Sequence, residues 1–315
     1  MKYHLTQHTL AGARRENQDR IATMEGERAV LMVLADGLGG HAGGEQAASA
    51  LVETFGRAFQ KAARPVIAEP AVFLVLSVLA AHRRINARAR RAEGSCGRTT
   101  CVACLVQEGR AHWVHVGDSR LYHVRDGALL SRTVDHTTVE QLRQDGILET
   151  RKGRKIHRQL MQCVGGPQRP RVAVGPQTPL ATGDTLLMCS DGLWQAVPEA
   201  ELVGQLARPD LEEAVEDLLI TAERRMRRRC DNLSAVALRW EDAPGRLPDR
   251  PARGADEIDQ DLLWLQLKGR APAAAPAATP AAAAAPARNG GRDEIARRIE
   301  ELERFVEGID LDDRK

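Results

Sequence analysis

The stretch LADGLGGHAGGEQAA, residues 34–48, follows directly on the apolar run 30–35 and organises the first half of the chain. A short apolar run with turn residues after it predicts a buried strand, and a helical pattern begins near Glu45. Between the two lie an aspartate, several glycines and a histidine. Taken alone, Asp36 followed by Gly37 is typical of an ordinary turn. Its meaning depends on whether other carboxylates take comparable positions.

Three further aspartates stand at predicted strand ends. Asp191 ends the run LLMCSDG, Asp118 lies on the hairpin turn of HVGDSR, and Asp231 precedes the last predicted strand as DNLS. Carboxylate oxygens without matching histidine or cysteine ligands suit Mg²⁺ or Mn²⁺ better than zinc. Two such cations bridged by one aspartate would lower the pKa of a shared water and polarise a phosphoryl oxygen. The four aspartates therefore predict a two-metal centre.

Composition excludes several other classes of function. The 315 residues carry 45 basic and 43 acidic side chains, a formal charge of +2, so no global field favours a nucleic-acid partner. The sequence contains no apolar run long enough to span a membrane and no secretory signal, so we expect a cytoplasmic protein.

The six cysteines lie mostly in strand-like runs and are expected to be buried. A redox or zinc role for the Cys101–Cys104 pair is disfavoured, because residues three apart on a strand face opposite sides.

The chain is predicted to have three parts. Residues 1–242 carry strand and helix signals throughout, and residues 243–291 are predicted to form a Pro/Ala-rich linker that is largely disordered, with a weaker helix candidate at 256–269. Residues 292–310 place apolar side chains on one helical stripe. This short helix is either a frayed, solvated tail or a docking or self-association element, and the sequence leaves both open.

The first part predicts an α+β fold. Strands are expected at 29–35, 99–107, 110–116, 120–124, 128–132, 184–190 and 234–239, and helices near 44–63, 71–91 and 210–229. Several strands follow one another with only turns between them, which is typical of antiparallel hairpins. Runs of strands interrupted by pairs of helices favour a central antiparallel β-sandwich flanked by helix pairs, in α-β-β-α layers.

Seven motifs then stand in order over about 230 residues: ARRENQD (13–19), ADGLGGHAGGE (35–45), GRTTCV (97–102), HVGDSRLY (115–122), VDHT (134–137), SDGL (190–193) and DNLS (231–234). On these motifs the chain resembles the metal-dependent protein serine/threonine phosphatases of the PPM type, the PP2C family, in their compact bacterial form. The resemblance implies a β-sandwich with a two-metal centre in a channel at one end.

The resemblance also implies roles for individual residues. Asp36 matches the bridging metal ligand, Gly37 the carbonyl ligand, and Asp191 and Asp231 the remaining ligands of the first metal. Asp118 matches an aspartate that holds a looser third ion. The other implied roles belong to Asp19, a carboxylate near the second metal that acts through water, and to Arg14, the arginine that binds the substrate phosphate. Residues 138–158 stand where family members carry a mobile flap.

The sequence departs from the family pattern at three places. Gln18 replaces a glutamate of animal members, so a weaker second metal is expected. Arg98 stands beside or in place of a glycine in GRTT. Leu38 takes the position of the histidine that acts as general acid in animal members, and His41 is the nearest substitute. For His41 a role as acid and a role as a loop histidine bonded to backbone both stay open.

These observations predict hydrolysis of phosphoserine or phosphothreonine in proteins, with two Mn²⁺ or Mg²⁺ ions and a third, weaker one at most. The partners are expected to be phosphorylated proteins, a cognate Ser/Thr kinase pathway and a target of the tail helix. Two alternatives stay open: a phosphatase-like binding module without activity, and a hydrolase of small phosphate esters.

Overall fold

The computed structural model describes residues 1–38, 42–62, 65–91, 97–147, 157–243 and 258–267. The chain divides into two units, Met1–Ile258 and Asp259–Lys315. The second contains helix α7 (Gln260–Leu267), which falls at the weaker helix candidate of residues 256–269 within the predicted linker. The predicted tail helix at 292–310 lies outside the described residues.

The first unit contains all the described strands. They are β1 (Tyr3–Leu10), β2 (Arg20–Glu25), β3 (Ala29–Ala35), β4 (Gly37–Leu38), β5 (Arg98–Thr99), β6 (Cys101–Gln107), β7 (Arg110–Val116), β8 (Arg120–Arg125), β9 (Ala128–Arg132), β10 (Ala173–Val174), β11 (Thr178–Pro179), β12 (Thr185–Cys189) and β13 (Leu233–Trp240). Its described helices are α1 (Ala42–Ala62), α2 (Pro70–Arg91), α3 (Thr138–Gln144), α4 (Asp191–Ala196), α5 (Glu199–Leu206) and α6 (Leu211–Met226). Among the described helices, none has the length and apolar character needed to cross a bilayer.

Two antiparallel sheets form the centre of this unit. In the described residues one sheet has the order β1-β13-β12-β8-β9 and the other the order β10-β7-β6-β3-β2, with β11 also paired to β7. Strands β4 and β5 make a separate small pair. The first and last strands of the fold, β1 and β13, pair along eight residues, so segments more than 220 residues apart in sequence share one sheet.

The core shows why the layers stack. Along β13 the side chains alternate: Val236 and Leu238 pack between the two sheets, whereas Ala235 and Ala237 pack against α4, α5 and α6. This two-residue period is the signature of a strand covered on both faces. All seven residues of β3 are fully buried for the same reason, with α1 on its outer side. The α-β-β-α sandwich expected from the sequence is therefore confirmed.

The buried cysteines follow the same alternation. Cys104 belongs to the cluster between the sheets, and Cys101, an odd number of residues away on β6, does not. The cysteines within the described residues are all free thiols.

Local sequence gave no signal for several elements: the two-residue strands β4, β10 and β11, the short helices α3, α4 and α5, and two longer strands. Strands β1 and β2 were not predicted, because YHLTQHTL and RIATME mix polar and apolar residues and both strands are partly exposed. Their partners decide their conformation: β13 for β1 and β3 for β2. The helix predicted at 210–229 ends earlier, at Met226, where Arg227 takes a φ of +49° and a 3₁₀ turn follows.

A pH dependence of stability follows from the buried His82 of α2. Its Nδ1 accepts a hydrogen bond from the Gly165 N–H at 3.0 Å, and burial lowers the pKa of His82 to about 4. Between pH 6.5 and pH 4 the unfolded chain binds a proton here and the native state does not. The contribution of neutral His82 to the free energy of unfolding is therefore fully present above pH 6.5. It is lost as the pH falls towards 4, by about 3 kcal/mol in total.

Urea unfolding from pH 4.5 to 7.5 in excess EDTA measures this effect, since the chelator removes any linkage to metal binding. We expect His82→Gln to be less stable than the unmodified chain at pH 7 and to show a clearly smaller loss of stability on acidification. Equal pH slopes for the two proteins would contradict the assignment.

Candidate metal centre

The peptide of Asp36 is fixed where β3 ends. Its N–H donates to Thr100 Oγ1 at 3.0 Å, and its carbonyl accepts from the Thr100 N–H and from the Thr99 hydroxyl, both at 2.9 Å. Both threonines belong to the GRTT motif. Because both backbone polar groups of Asp36 are hydrogen-bonded to these threonines, the carboxylate of Asp36 leaves the strand in one defined direction.

Gly37 is required by a close approach of backbone. A Cβ atom at this position would lie 2.5 Å from the Gly44 carbonyl and 2.8 Å from the Gln18 carbonyl oxygen. The sequence suggested that the glycine serves a sharp turn, but Gly37 lies in the extended pair of β4 with β5, where its partner is Thr99. Arg98, the other residue of β5, pairs with Leu38 and has an exposed side chain. The arginine in GRTT is therefore compatible with the β4–β5 pair.

Asp191 begins α4 directly after β12. Its Oδ2 accepts a hydrogen bond from Gln195 Nε2 at 2.7 Å, one helical turn later. A Cβ on Gly192 would lie 2.2 Å from the Asn232 carbonyl oxygen, so this junction packs directly on the turn before β13. The close contact brings Asp191 and Asp231 to the same end of the sandwich.

Asn232 holds the loop between β1 and β2 against that turn. Its Nδ2 donates to the carbonyls of Ala11 and Glu16, and its Oδ1 accepts from the Gln18 N–H, at 2.9–3.0 Å. The loop therefore has a fixed path past Asp231. Sequence reasoning missed this role of Asn232, although its place directly after Asp231 in DNLS was the available signal.

The loop presents Arg14 and Asp19. Arg14 Nη2 donates to Asp231 Oδ2 at 2.7 Å, and the arginine side chain is 61% exposed. Asp19 is 1% exposed, and neither of its carboxylate oxygens has a hydrogen-bond partner among the described residues. Burial raises the pKa of Asp19, and the nearby side chains of Ser190 and Ser234 oppose part of that rise. A buried carboxylate left in this state indicates a missing water or cation.

The carboxylates act on one another. Burial raises the pKa of Asp36 well above its usual range, and the charges of Asp19, Asp191, Asp118 and Asp231 add to the rise. Burial together with Asp118 and Asp231 raises the pKa of Asp191 to about 7, and burial raises that of Asp19 to about 6. Five acidic groups from separate segments thus lie close enough to influence one another, and burial is the main cause of the raised pKa of Asp19, Asp36 and Asp191, an arrangement typical of functional sites.

The donor set fits divalent cations. Five carboxylates and the backbone carbonyl of Gly37 offer the oxygen ligands that Mg²⁺ and Mn²⁺ prefer. The orphaned oxygens of Asp19 and the mutual repulsion around Asp36 would both be relieved by positive charge. The predicted residues Arg14, Asp19, Asp36, Asp191 and Asp231 are therefore brought together.

Asp118 lies at the edge of this cluster, on the turn between β7 and β8. Its carboxylate accepts a hydrogen bond from Arg158 at 2.7 Å and its backbone carbonyl accepts one from Trp194 Nε1 at 2.9 Å. The sequence placed Arg158 at the end of the predicted flap, without a contact to Asp118, and predicted no role for Trp194. The other predicted catalytic residue, His41, lies outside the described residues, as does the 148–156 part of the predicted flap.

Comparison with known proteins identifies a family and several relatives of this chain. The family model described as Protein phosphatase 2C matches residues 6–229. The serine/threonine phosphatase stp of Listeria innocua is 29% identical over 194 residues, 60% of this chain and 77% of that protein. The serine/threonine protein phosphatase PstP of Mycobacterium tuberculosis is 31% identical over 202 residues, 62% of this chain and 37% of that protein.

Solved structures agree with the sequence matches. The Streptococcus agalactiae serine/threonine phosphatase superposes with a TM-score of 0.67 at 28% identity, covering 76% of this chain and 100% of that one. The catalytic domain of PstP, in complex with two manganese ions, superposes with a TM-score of 0.63 at 28% identity, covering 76% of this chain and 99% of that one.

Replacing Asn232 tests whether the β1–β2 loop must be held in place. Asn232→Ala removes three hydrogen bonds to the loop, so kcat/KM for a phosphopeptide should fall by about tenfold to a hundredfold while circular dichroism stays unchanged. If Asn232 acts through Arg14, Arg14→Ala should lower kcat/KM much less in the Asn232→Ala protein than in the unmodified chain. Fully additive losses would rule out this coupling.

Proposed function

We propose a residue-level mechanism for this chain, which belongs to the protein phosphatase 2C family and is a metal-dependent protein serine/threonine phosphatase. It hydrolyses phosphoserine and phosphothreonine in proteins with two Mn²⁺ or Mg²⁺ ions. The observation that carries the mechanism is the group of mutually repelling carboxylates at one end of the sandwich.

We assign the metal ligands to residues that enter from four strand ends, those of β3, β7, β12 and β13. Asp36, the Gly37 carbonyl, Asp191 and Asp231 would hold the pair of cations, and Asp118 a third, weaker one. Asp19, whose oxygens have no hydrogen-bond partner among the described residues, would act near the second cation through water. When bound, the two cations lower the pKa of a water molecule and polarise a phosphoryl oxygen.

Arg14 is proposed to bind the substrate phosphate. Its ion pair with Asp231 uses one of five N–H donors, and the side chain is largely exposed beside the carboxylate cluster. A planar guanidinium can donate two parallel hydrogen bonds to phosphate oxygens, and it neutralises the charge that grows on them as the phosphoryl group is transferred.

Protonation of the leaving serine or threonine oxygen needs a separate group. Leu38 is held in the β4–β5 pair and has no proton to give. We therefore retain His41, three residues further along the glycine-rich segment, as the proposed general acid, because an imidazole exchanges protons near neutral pH.

Phosphoprotein substrates imply a kinase that makes them. We propose a cognate Ser/Thr kinase pathway and a cytoplasmic site of action, together with a docking role for the amphipathic stripe at 292–310. The docking role is supported by the four-and-three spacing of Ile295, Ile299, Leu302 and Val306, which places these side chains on one face of a helix.

Asp36→Asn tests the metal assignment with little change in shape. Because the amide lacks the negative charge that would hold a divalent cation, we expect loss of tight Mn²⁺ binding by calorimetry and a fall in phosphopeptide turnover of more than about 100-fold. The matched control is Asp126→Asn on the exposed β8–β9 turn, which should bind metal and turn over normally. EDTA should abolish activity reversibly, and full activity in excess EDTA would refute the mechanism.

Deleting residues 245–315 tests whether the tail belongs to the catalytic unit. All the proposed catalytic and ligand residues lie between Arg14 and Asp231, so turnover of a small aryl phosphate should be unchanged. A large loss of turnover, measured at saturating Mn²⁺, would show that the tail completes the active site. Phosphoprotein turnover measured in parallel shows whether the tail contributes to docking.

A further inference from the structure

We propose that Arg158 is a built-in counter-cation of the metal centre, which neutralises Asp118 and competes with a divalent cation for that carboxylate. The proposal rests on the function proposed above, in which Asp118 holds the weakest ion. It assigns to this chain a residue that sets how strongly the third ion binds.

The charge of Arg158 is directed to Asp118. Arg158 Nη2 lies 2.7 Å from Asp118 Oδ2 and 3.3 Å from Asp135 Oδ2. Asp135 is already neutralised by Arg120, whose Nε and Nη2 donate to its two oxygens at 2.8 and 2.9 Å. Two arginines thus face two aspartates, and the shorter contact of Arg158 goes to the carboxylate at the edge of the metal cluster.

Trp194 holds this guanidinium in place. Arg158 Cζ lies 4.3 Å from the centre of the indole ring, and Arg120 Cζ lies 3.5 Å from it. The indole Nε1 donates to the Asp118 carbonyl, and Trp194 follows Asp191 by one turn of α4. The arginine is therefore packed on an aromatic face that is itself tied to the two carboxylate-bearing segments.

The Arg158 ion pair is not needed to hold its own segment. The backbone around it is fixed by other hydrogen bonds: the Thr138 N–H donates to the Gln159 carbonyl at 2.9 Å, and the Met161 N–H donates to the His136 carbonyl at 2.8 Å. A purely structural role for the Arg158 charge is thus redundant. Its distinctive contact is the one with Asp118, where a second positive group would be repelled.

The test is Mn²⁺ binding, followed by calorimetry and by the electron paramagnetic resonance signal of free Mn²⁺. Arg158→Gln keeps most of the side chain and removes the charge, so we expect the weakest Mn²⁺ site to tighten on the order of tenfold. Arg158→Lys keeps the charge and should retain the weak site. The matched control is Arg143→Gln, which removes an exposed charge paired with Glu140 on α3 and should bind Mn²⁺ like the unmodified chain.

The outcomes separate this proposal from the one before it. If Arg158→Gln and Arg143→Gln bind Mn²⁺ alike, the counter-cation role is wrong, even though the two tighter ions bind normally. If the unmodified chain binds no tight pair of Mn²⁺ ions, the proposed metal centre itself fails. Combining Arg158→Gln with Asp118→Asn should abolish the gain in affinity, and a gain that persists would place the competition at another carboxylate.

Discussion

Repulsion among buried carboxylates is the constraint on which the rest of the structure depends. Asp36 and Asp191 carry raised pKa values because burial and neighbouring aspartates both oppose their charge. Such a cluster is unfavourable for the metal-free protein and favourable for one that binds divalent cations, because the same charges that repel one another attract a common positive ion. The sandwich must therefore be stable enough to hold the cluster together before any cation arrives.

The structure meets that demand with rigid peptide contacts. Asp36 is fixed by Thr99 and Thr100, and Asn232 fastens the loop that carries Arg14. Close approach of backbone at Gly37 and Gly192 leaves no space for a Cβ atom, so neither segment can move away from its neighbour without breaking the packing. These contacts involve neutral groups, so they keep their strength whatever the charge of the carboxylates.

Basic side chains are arranged around the edge of the cluster. Arg14 contacts Asp231 on one side, and Arg158 contacts Asp118 on the other. Arg14 is mostly exposed and is free to meet a phosphate, whereas Arg158 is partly buried and packed on Trp194. Exposure suits Arg14 to the proposed role in substrate binding, and packing on Trp194 suits Arg158 to the proposed role in controlling charge at the metal centre.

The sequence alone determined the layer order, most strand positions and the aspartates of the site, because two-residue alternation and strand-end motifs are local properties of the chain. It could not locate β1 and β2, whose mixed polarity becomes strand only through pairing with β13 and β3. Nor could it assign Asn232, Arg158 or Trp194, whose importance lies in contacts with segments far away in sequence. It also attributed Gly37 to a turn, whereas the carbonyl groups of Gly44 and Gln18 lie so close that no side chain fits there. Motifs identify the groups that carry charge, but the distances between those groups, and hence their pKa values and partners, exist only once the two sheets have packed.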